Sequence, residues 1–389
     1  MIPTPRRLPY KIYYWPILFL AICGIINATY LSYSHYQNYT DPAYASFCAI
    51  SRAINCDTVA QSPWSILFGL PVALWGLMGY VLFLILLIAL RRPTRDALPI
   101  WSLAVVCGFG YALAAAYFGY ISVSKIHSYC ILCLLTYGIN FGLFFGSWFI
   151  RRRFSNASIV SEIPIALRRI IGTKWFLSAA GGVVVATILM MFFLPHYWTF
   201  APDAISTQIP HGVTEDGHPW VGAEHPELTI TEFSDYMCFQ CKKMHFLLRR
   251  LIQTYPDRIR LIHWQFPMDQ TYNPLVREPF HSGSGKMALI AIYAQTKGKF
   301  WEVNDLLFDI AGTKQDFNTR KIAEFMGVPR GEVVQALESR NLRLLLKHDI
   351  AVGIQKGITG TPGFVIDDRV YLGTIPKQIL QKATGQEEN

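Results

Sequence analysis

Leu228-Thr229-Ile230-Thr231-Glu232-Phe233-Ser234-Asp235-Tyr236-Met237-Cys238-Phe239-Gln240-Cys241 decides how the C-terminal half of this chain is read. From Leu228 to Phe233 apolar and polar residues alternate, the period of a strand. Lys242 to Tyr255 then carries Met244, Leu247, Leu248 and Leu251 at helical spacing. The Cys-x-x-Cys therefore lies where a strand ends and a helix opens. A helix N-terminus favours the thiolate of the first cysteine, and thiolate is the reactive form. Two intervening residues let the sulfurs close a small, readily exchanged disulfide. A zinc site needs a second ligand pair at suitable spacing, and none follows, so no metal is expected.

Working outward, Arg258 to Phe266 reads as a second strand and residues 286–352 as mostly helical, broken near Gly312 and Pro329. Val365–Ile366 and Val370–Leu372 flank Asp367-Asp368-Arg369 as a terminal hairpin, and a short helix starts near Pro376. Upstream, five apolar segments near 12–35, 66–90, 98–121, 130–150 and 173–194 are long enough to span a bilayer, which takes about 20 helical residues. The third and fourth are joined by a short polar turn, Ser122 to Tyr129. Arg6, Arg7 and Lys11 precede the first segment without a convincing cleavage site, so it is expected to be a retained span. The domains expected are 12–150, a four-helix membrane unit; 151–194, an inner loop and fifth span; 195–219, a linker; and 220–389, a soluble α/β unit.

The chain is 52% hydrophobic and 16% charged, against roughly 25% charged in average globular chains. Its net charge of +9 does not indicate nucleic acid. Residues 1–194 carry 14 Lys/Arg against 4 Asp/Glu, whereas residues 195–389 carry 21 against 22. The excess sits beside apolar segments, where a membrane protein puts it. Arg6, Arg7 and Lys11, then Arg91, Arg92 and Arg95, then Arg151, Arg152, Arg153, Arg168, Arg169 and Lys174 fill alternate short loops, and the opposite loops hold only Arg52 and Lys125. Odd-numbered spans are then expected to run outward. On that charge count alone, all three cysteine pairs, Cys48/Cys56, Cys130/Cys133 and Cys238/Cys241, fall on or near the outer face. Cys23 and Cys107 stand alone in mid-span and read as packing residues.

Two resemblances can now be stated. Thr231 to Cys241, with Thr361-Pro362 and the intervening helices, resembles the periplasmic thiol oxidase DsbA family over about 220–385, which implies a thioredoxin fold with a helical insertion. The resemblance makes Pro362 a cis-proline facing the cysteines. It matches Glu232 to a buried acid that accepts a proton when Cys241 deprotonates. The family's usual central dipeptide is Pro-His, and Phe239-Gln240 offers no histidine, so a less acidic Cys238 and a less oxidising pair are expected.

Residues 12–150 resemble the vitamin K epoxide reductase (VKOR) family. The similarity rests on Cys48 and Cys56, on Ser62 six residues after Cys56, on Gly69-Leu70-Pro71, and on Cys130-Ile131-Leu132-Cys133 followed by Thr136-Tyr137. Bacterial members fused to a thioredoxin-like domain form a known class. The resemblance implies a quinone, ubiquinone or menaquinone, as electron acceptor. Cys48 or its partner takes electrons from the reduced Cys238/Cys241, Cys56 exchanges with Cys130, and Cys133 faces the quinone. Ser62, Tyr137 and, on a looser alignment, Ser65 are the implied quinone contacts. The partners implied are exported cysteine-containing proteins and the membrane quinone pool, in a bacterial cytoplasmic membrane with the N-terminus inside and the thioredoxin-like part outside. The reverse flow, keeping an external isomerase reduced, uses the same cysteines. A thioredoxin-like chaperone module with vestigial cysteines is a third reading.

Smaller signals were weighed as well. His245 reads as a surface helical residue, and His211, His218 and His225 as parts of a solvated linker. Asn38-Tyr39-Thr40 is a glycosylation triplet expected to go unused. Trp64, Tyr129 and Tyr197 suit membrane-interface positions.

Overall fold

A computed structural model of the chain describes residues 9–41, 44, 46–48, 50, 54–94, 97–126, 128–155, 157–199, 209–311 and 318–385. Arg6, Arg7, Arg52, Arg95, Gly312, residues 200–208 of the expected linker and the last four residues lie outside the described residues. The described residues form two compact units that part between Tyr197 and Trp198.

The first unit is helical. Its elements are α1 (Tyr10–Thr40), α2 (Cys56–Ala60), a two-residue hairpin of β1 (Ile66–Leu67) and β2 (Leu70–Pro71), α3 (Val72–Ala89), α4 (Ile100–Ile121), α5 (Ile131–Phe154), α6 (Ile159–Ile171) and α7 (Lys174–Phe193). Five helices are long and apolar enough to cross a membrane: α1, α3, α4 with its extension to Ile126, α5 and α7. Tyr80, Phe83, Leu87, Trp101 and Leu143 fill the core between α1, α3, α4 and α5. Small residues let the helices approach: a Cβ on Gly108 of α4 would stand 2.8 Å from the Phe144 backbone of α5. Several buried polar groups are bonded between helices. The Tyr10 hydroxyl donates to the Leu90 carbonyl at 2.6 Å and accepts from the Trp101 indole at 3.1 Å, tying the ends of three helices together.

Three local readings are corrected here. The second apolar segment becomes helical at Val72, not Ile66, because Phe68 and Gly69 turn at φ 49° and 77° and Pro71 precedes the first helical turn. The expected polar turn after α4 is a π-helical extension, Ser122–Ile126, and Tyr129 then bridges to Ile54. The basic loop between the fourth and fifth long helices contains α6. Its Glu162 is buried and accepts from Arg151 (3.0 Å) and Ser102, so a carboxylate that read as loop is the internal partner of one of the clustered arginines.

The second unit is built on a six-stranded sheet of order β3-β4-β6-β5-β7-β8. Its elements are β3 (His211–Val213), β4 (Pro219–Gly222), β5 (Leu228–Ser234), α8 (Phe239–Thr254), β6 (Ile259–Gln265), α9 (Ser284–Thr296), α10 (Phe300–Ala311), α11 (Thr319–Met326), α12 (Arg330–Glu338), α13 (Arg340–Gln355), β7 (Gly363–Ile366), β8 (Arg369–Leu372) and α14 (Lys377–Thr384). β5 and β6 run parallel through the β5–α8–β6 crossover; the other neighbours are antiparallel. Central β5 is paired on both sides, which anchors the cysteine motif at its C-terminal end. Helices α9 to α13 are inserted between β6 and β7 and share a core of Phe233, Phe266, Phe308 and Phe364. Asp367 and Asp368 both take positive φ in the tight β7–β8 turn.

Residues 211–222, expected to be mainly linker, contribute β3 and β4. These strands of three and four residues are too short for a period to show; β4 is held by pairing with β6, and β3 by pairing with β4. His218 is buried there, stacked on Trp264 at 3.4 Å and bonded to Asp349 at 3.1 Å. His245 is not a surface residue: the α8 face carrying it is covered by α10, and its ring meets Asp305 at 2.6 Å.

Gly222 adopts φ 115°, and a Cβ there would lie 2.0 Å from the Ile259 carbonyl oxygen. Gly222→Ala is expected to cost about 2 kcal/mol or more and to lower the thermal midpoint of the second unit in the detergent-solubilised protein. An unchanged midpoint would show that β4 yields freely.

Candidate functional site

In the second unit, β5 delivers the chain to Asp235, and Cys238 caps α8. The Cys241 N–H donates to the Cys238 sulfur at 3.2 Å, and the Cys238 thiol lies 3.4 Å from the Thr361 carbonyl oxygen, beside the cis Thr361–Pro362 bond. Both cysteines are buried. Gln240 reaches away to the Gly373 carbonyl at 3.1 Å.

Asp235 is the hub of this site. Its carbonyl accepts the Cys238 N–H at 3.1 Å. Its carboxylate accepts from the backbone N–H of Met237 (2.6 Å), the backbone N–H of Met268 (2.5 Å), the Ser284 hydroxyl (3.0 Å) and His281 Nδ1 (3.0 Å). Burial pushes the Cys238 thiol up, but the hydrogen bond with Cys241 and the charge of His281 outweigh it and hold the thiol below its ordinary value. Burial and the adjoining Cys238 sulfur push Cys241 well above its own. The two thiols are thus differentiated as an attacking and a resolving cysteine require. Glu232 is fully buried 3.8 Å from His263, an ion-pair distance too long for a hydrogen bond. Burial pushes its carboxyl up, yet His263 and His245 outweigh that and leave it below the ordinary range.

In the first unit, Cys48 and Cys56 form a disulfide. Cys130 caps α5 as Cys238 caps α8: the Cys133 N–H donates to the Cys130 sulfur at 3.1 Å. Cys48, Cys56 and Cys130 pack in one buried cluster against Leu31, Val59, Leu132 and Cys133. The Asn55 side chain caps α2 through the N–H groups of Asp57 and Thr58. Asp57 in turn accepts from Asn38 of α1 and from the Ser46 N–H, both at 2.9 Å, fixing the Cys48 segment. Asn38 is fully enclosed and also accepts from Gln61, so its triplet offers no acceptor for a glycan.

A cavity of about 290 Å³ opens beside this cluster. Its walls are mostly apolar, with Val59, Val72, Ala115 and Phe118 among them, and Cys56, Cys130 and Cys133 all reach it. So do Ser62, Ser65 and Tyr137, the three hydroxyls singled out in the sequence. Four further lining residues were missed there: His35, Tyr80, Tyr111 and Asn140. His35 lies within 3.3 Å of Ser65 Oγ and 3.0 Å of the Tyr197 hydroxyl. The Tyr80 hydroxyl donates to Asn140 at 2.6 Å. They come from α1, α3, α4 and α5, and no spacing within one helix could have gathered them. Asp235 stood in the quoted motif without a role, and His281, over forty residues away, carried no signal.

An apolar chamber reached by a vicinal dithiol, with a second vicinal dithiol in an α/β unit, defines a thiol–disulfide oxidoreductase made in two parts. Comparison with known proteins agrees. Residues 15–148 match the model of the vitamin K epoxide reductase family, and residues 229–385 match that of the DSBA-like thioredoxin domain. The chain is 27% identical over 139 residues to vitamin K epoxide reductase complex subunit 1 of Mus musculus, covering 32% of this chain and 83% of that protein. Among solved structures, a thioredoxin-like oxidoreductase from Silicibacter pomeroyi DSS-3 is 23% identical with a TM-score of 0.35, over 43% of this chain and 91% of that one. Wolbachia pipientis alpha-DsbA1 is 18% identical with a TM-score of 0.35, over 45% and 94%. The chain is a VKOR-family membrane domain joined to a DsbA-like thioredoxin domain.

In the reduced protein, Cys238 is expected to be alkylated at neutral pH at least about tenfold faster than Cys241, and to keep reacting as the pH falls below the ordinary thiol value, where Cys241 is fully protonated. Peptide mapping after timed alkylation measures this; equal rates at the two sulfurs would contradict the asymmetry.

Proposed function

We propose that this protein is a quinone-linked thiol oxidase that introduces disulfides into exported proteins. The observation that carries the reading is that three cysteines, Cys56 from the loop disulfide and both members of the Cys130/Cys133 pair, reach one mostly apolar cavity. That cavity fits a quinone: its apolar walls suit a ring that partitions into lipid, and the hydroxyls of Ser62, Ser65 and Tyr137 suit the carbonyl oxygens. When bound, a quinone accepts two electrons and two protons.

The residues act in sequence. A substrate thiolate attacks the Cys238–Cys241 disulfide at Cys238, and a second substrate thiol resolves the mixed disulfide, leaving substrate oxidised and the pair reduced. The proton of Cys241 passes to Glu232 when that thiol must attack in the next round. Cys238 attacks the loop disulfide at Cys48 and releases Cys56 as thiolate. Cys241 then displaces Cys48, so the external disulfide re-forms and two electrons sit on the loop. Cys56 exchanges with an oxidised Cys130–Cys133 pair at Cys130, and Cys48 resolves the mixed disulfide, leaving Cys130 and Cys133 reduced at the cavity. Each exchange breaks one S–S bond and makes one.

The concentration of Lys/Arg in alternate loops supports a cytoplasmic N-terminus and an external thioredoxin-like domain, in a bacterial cytoplasmic membrane. Fusion raises the effective concentration of the two redox partners to roughly millimolar, which favours transfer within the chain over capture by a separate oxidase. Cys133→Ala is expected to leave Cys238/Cys241 reduced in cells, as read by thiol-trapping gels. A pair that stayed oxidised would remove the membrane leg of the relay.

A further inference from the structure

The central dipeptide of the Cys238/Cys241 motif carries no charge, yet a titratable imidazole stands at the site from another part of the fold. His281 comes from the segment between β6 and α9, and its ring is fixed on several sides. Nδ1 bonds Asp235 Oδ2 at 3.0 Å, and Phe280 stacks on the ring with centroids 4.0 Å apart. The backbone just beyond it is pinned by Asp269, whose carboxylate accepts the Gly283 N–H at 2.8 Å. Asp235 joins the ring to the dithiol, because its own carbonyl accepts the Cys238 N–H. Asp235 and Asp269 are the carboxylates facing this segment, from the β5 end and the loop after β6; Cys238 and Cys241 are the thiols at the N-terminus of α8. The side chain of His281 keeps 20% of its surface in solvent while Asp235 is enclosed, so the ring can exchange protons with water beside a fixed anion.

We propose that His281, clamped by Asp235, is the positive charge that sets the oxidising strength of the Cys238–Cys241 pair, a task for which Phe239-Gln240 supplies no group. A buried carboxylate favours the protonated imidazole. That imidazolium favours negative charge on the nearby Cys238 sulfur. Stabilising the reduced form of a dithiol makes its disulfide the stronger oxidant. His281 therefore supplies, from a distant loop, the charge that the dipeptide lacks. His281 is a positioning residue in this account: it acts through charge and breaks no bond. The inference rests on the reading of Cys238–Cys241 as the exchanging pair.

The test uses full-length protein in detergent carrying Cys48→Ala and Cys56→Ala, where electrons cannot leave Cys238/Cys241 for the loop, so failure of the relay and failure of this inference are read separately. The ultraviolet absorbance of the Cys238 thiolate is followed against pH, with Cys238→Ala as blank, and the pair is equilibrated with glutathione. His281→Gln, which keeps a hydrogen-bonding amide but no charge, is expected to reduce the thiolate fraction at mildly acid pH about tenfold. It should shift the glutathione equilibrium about tenfold toward the disulfide, about 30 mV for this two-electron couple. His281→Lys should retain most of both. A His281→Gln protein that titrates like the parent overturns the proposal. So does a His281→Lys protein that loses as much as His281→Gln, because shape and not charge would then be what counts.

Discussion

An amide N–H aimed at a sulfur is the contact on which both halves of this protein depend. Cys238 receives it from Cys241 at 3.2 Å, and Cys130 receives it from Cys133 at 3.1 Å. In each case the first cysteine caps a helix and the second lies in its first turn. The geometry places a potential thiolate against the unsatisfied donors and positive end of a helix, and it sets the two sulfurs of each pair unequal. The rest of each unit serves to hold that turn still. In one, a central strand paired on both sides feeds it; in the other, a packed bundle seats it beside an apolar chamber.

The two sites differ in how they are surrounded. The Cys238/Cys241 pair is governed by polar groups: Asp235 gathers four donors, His281 among them, and Glu232 of β5 lies 3.8 Å from His263 of β6. The membrane pair is governed by apolar enclosure, with the loop disulfide packed directly on it and hydroxyls the main polar groups at the chamber. The contrast follows from what each must meet in the proposed relay: a water-borne thiol on one side, a lipid-soluble acceptor on the other.

Most of the architecture was legible because it is local. Spans declare themselves by length and apolarity, β5 and α8 by their periods, the hairpin by Asp367-Asp368, and both Cys-x-x-Cys motifs by position. What escaped was non-local. Strand β4 exists because β6 offers it hydrogen bonds, and β3 because β4 does, and nothing in residues 211–222 announces it. His245 looked like a surface residue because α10, which buries it, lies over fifty residues downstream. His218 was misjudged for the same reason, since Trp264 and Asp349 cover it. Ser62, Ser65 and Tyr137 are legible through a family resemblance, whereas His35, Tyr80, Tyr111 and Asn140 need four helices to converge.

Asp57 holds the segment bearing Cys48 by one backbone N–H and ties it to the first long helix through Asn38. Such a leash restricts how far the Cys48 sulfur can leave its buried cluster. In the proposed cycle the carrier then works on a short radius, returning to the same neighbour after each excursion. Speed would be governed by how often a few hydrogen bonds let go, a quantity belonging to the loop itself and independent of how crowded the surrounding compartment is.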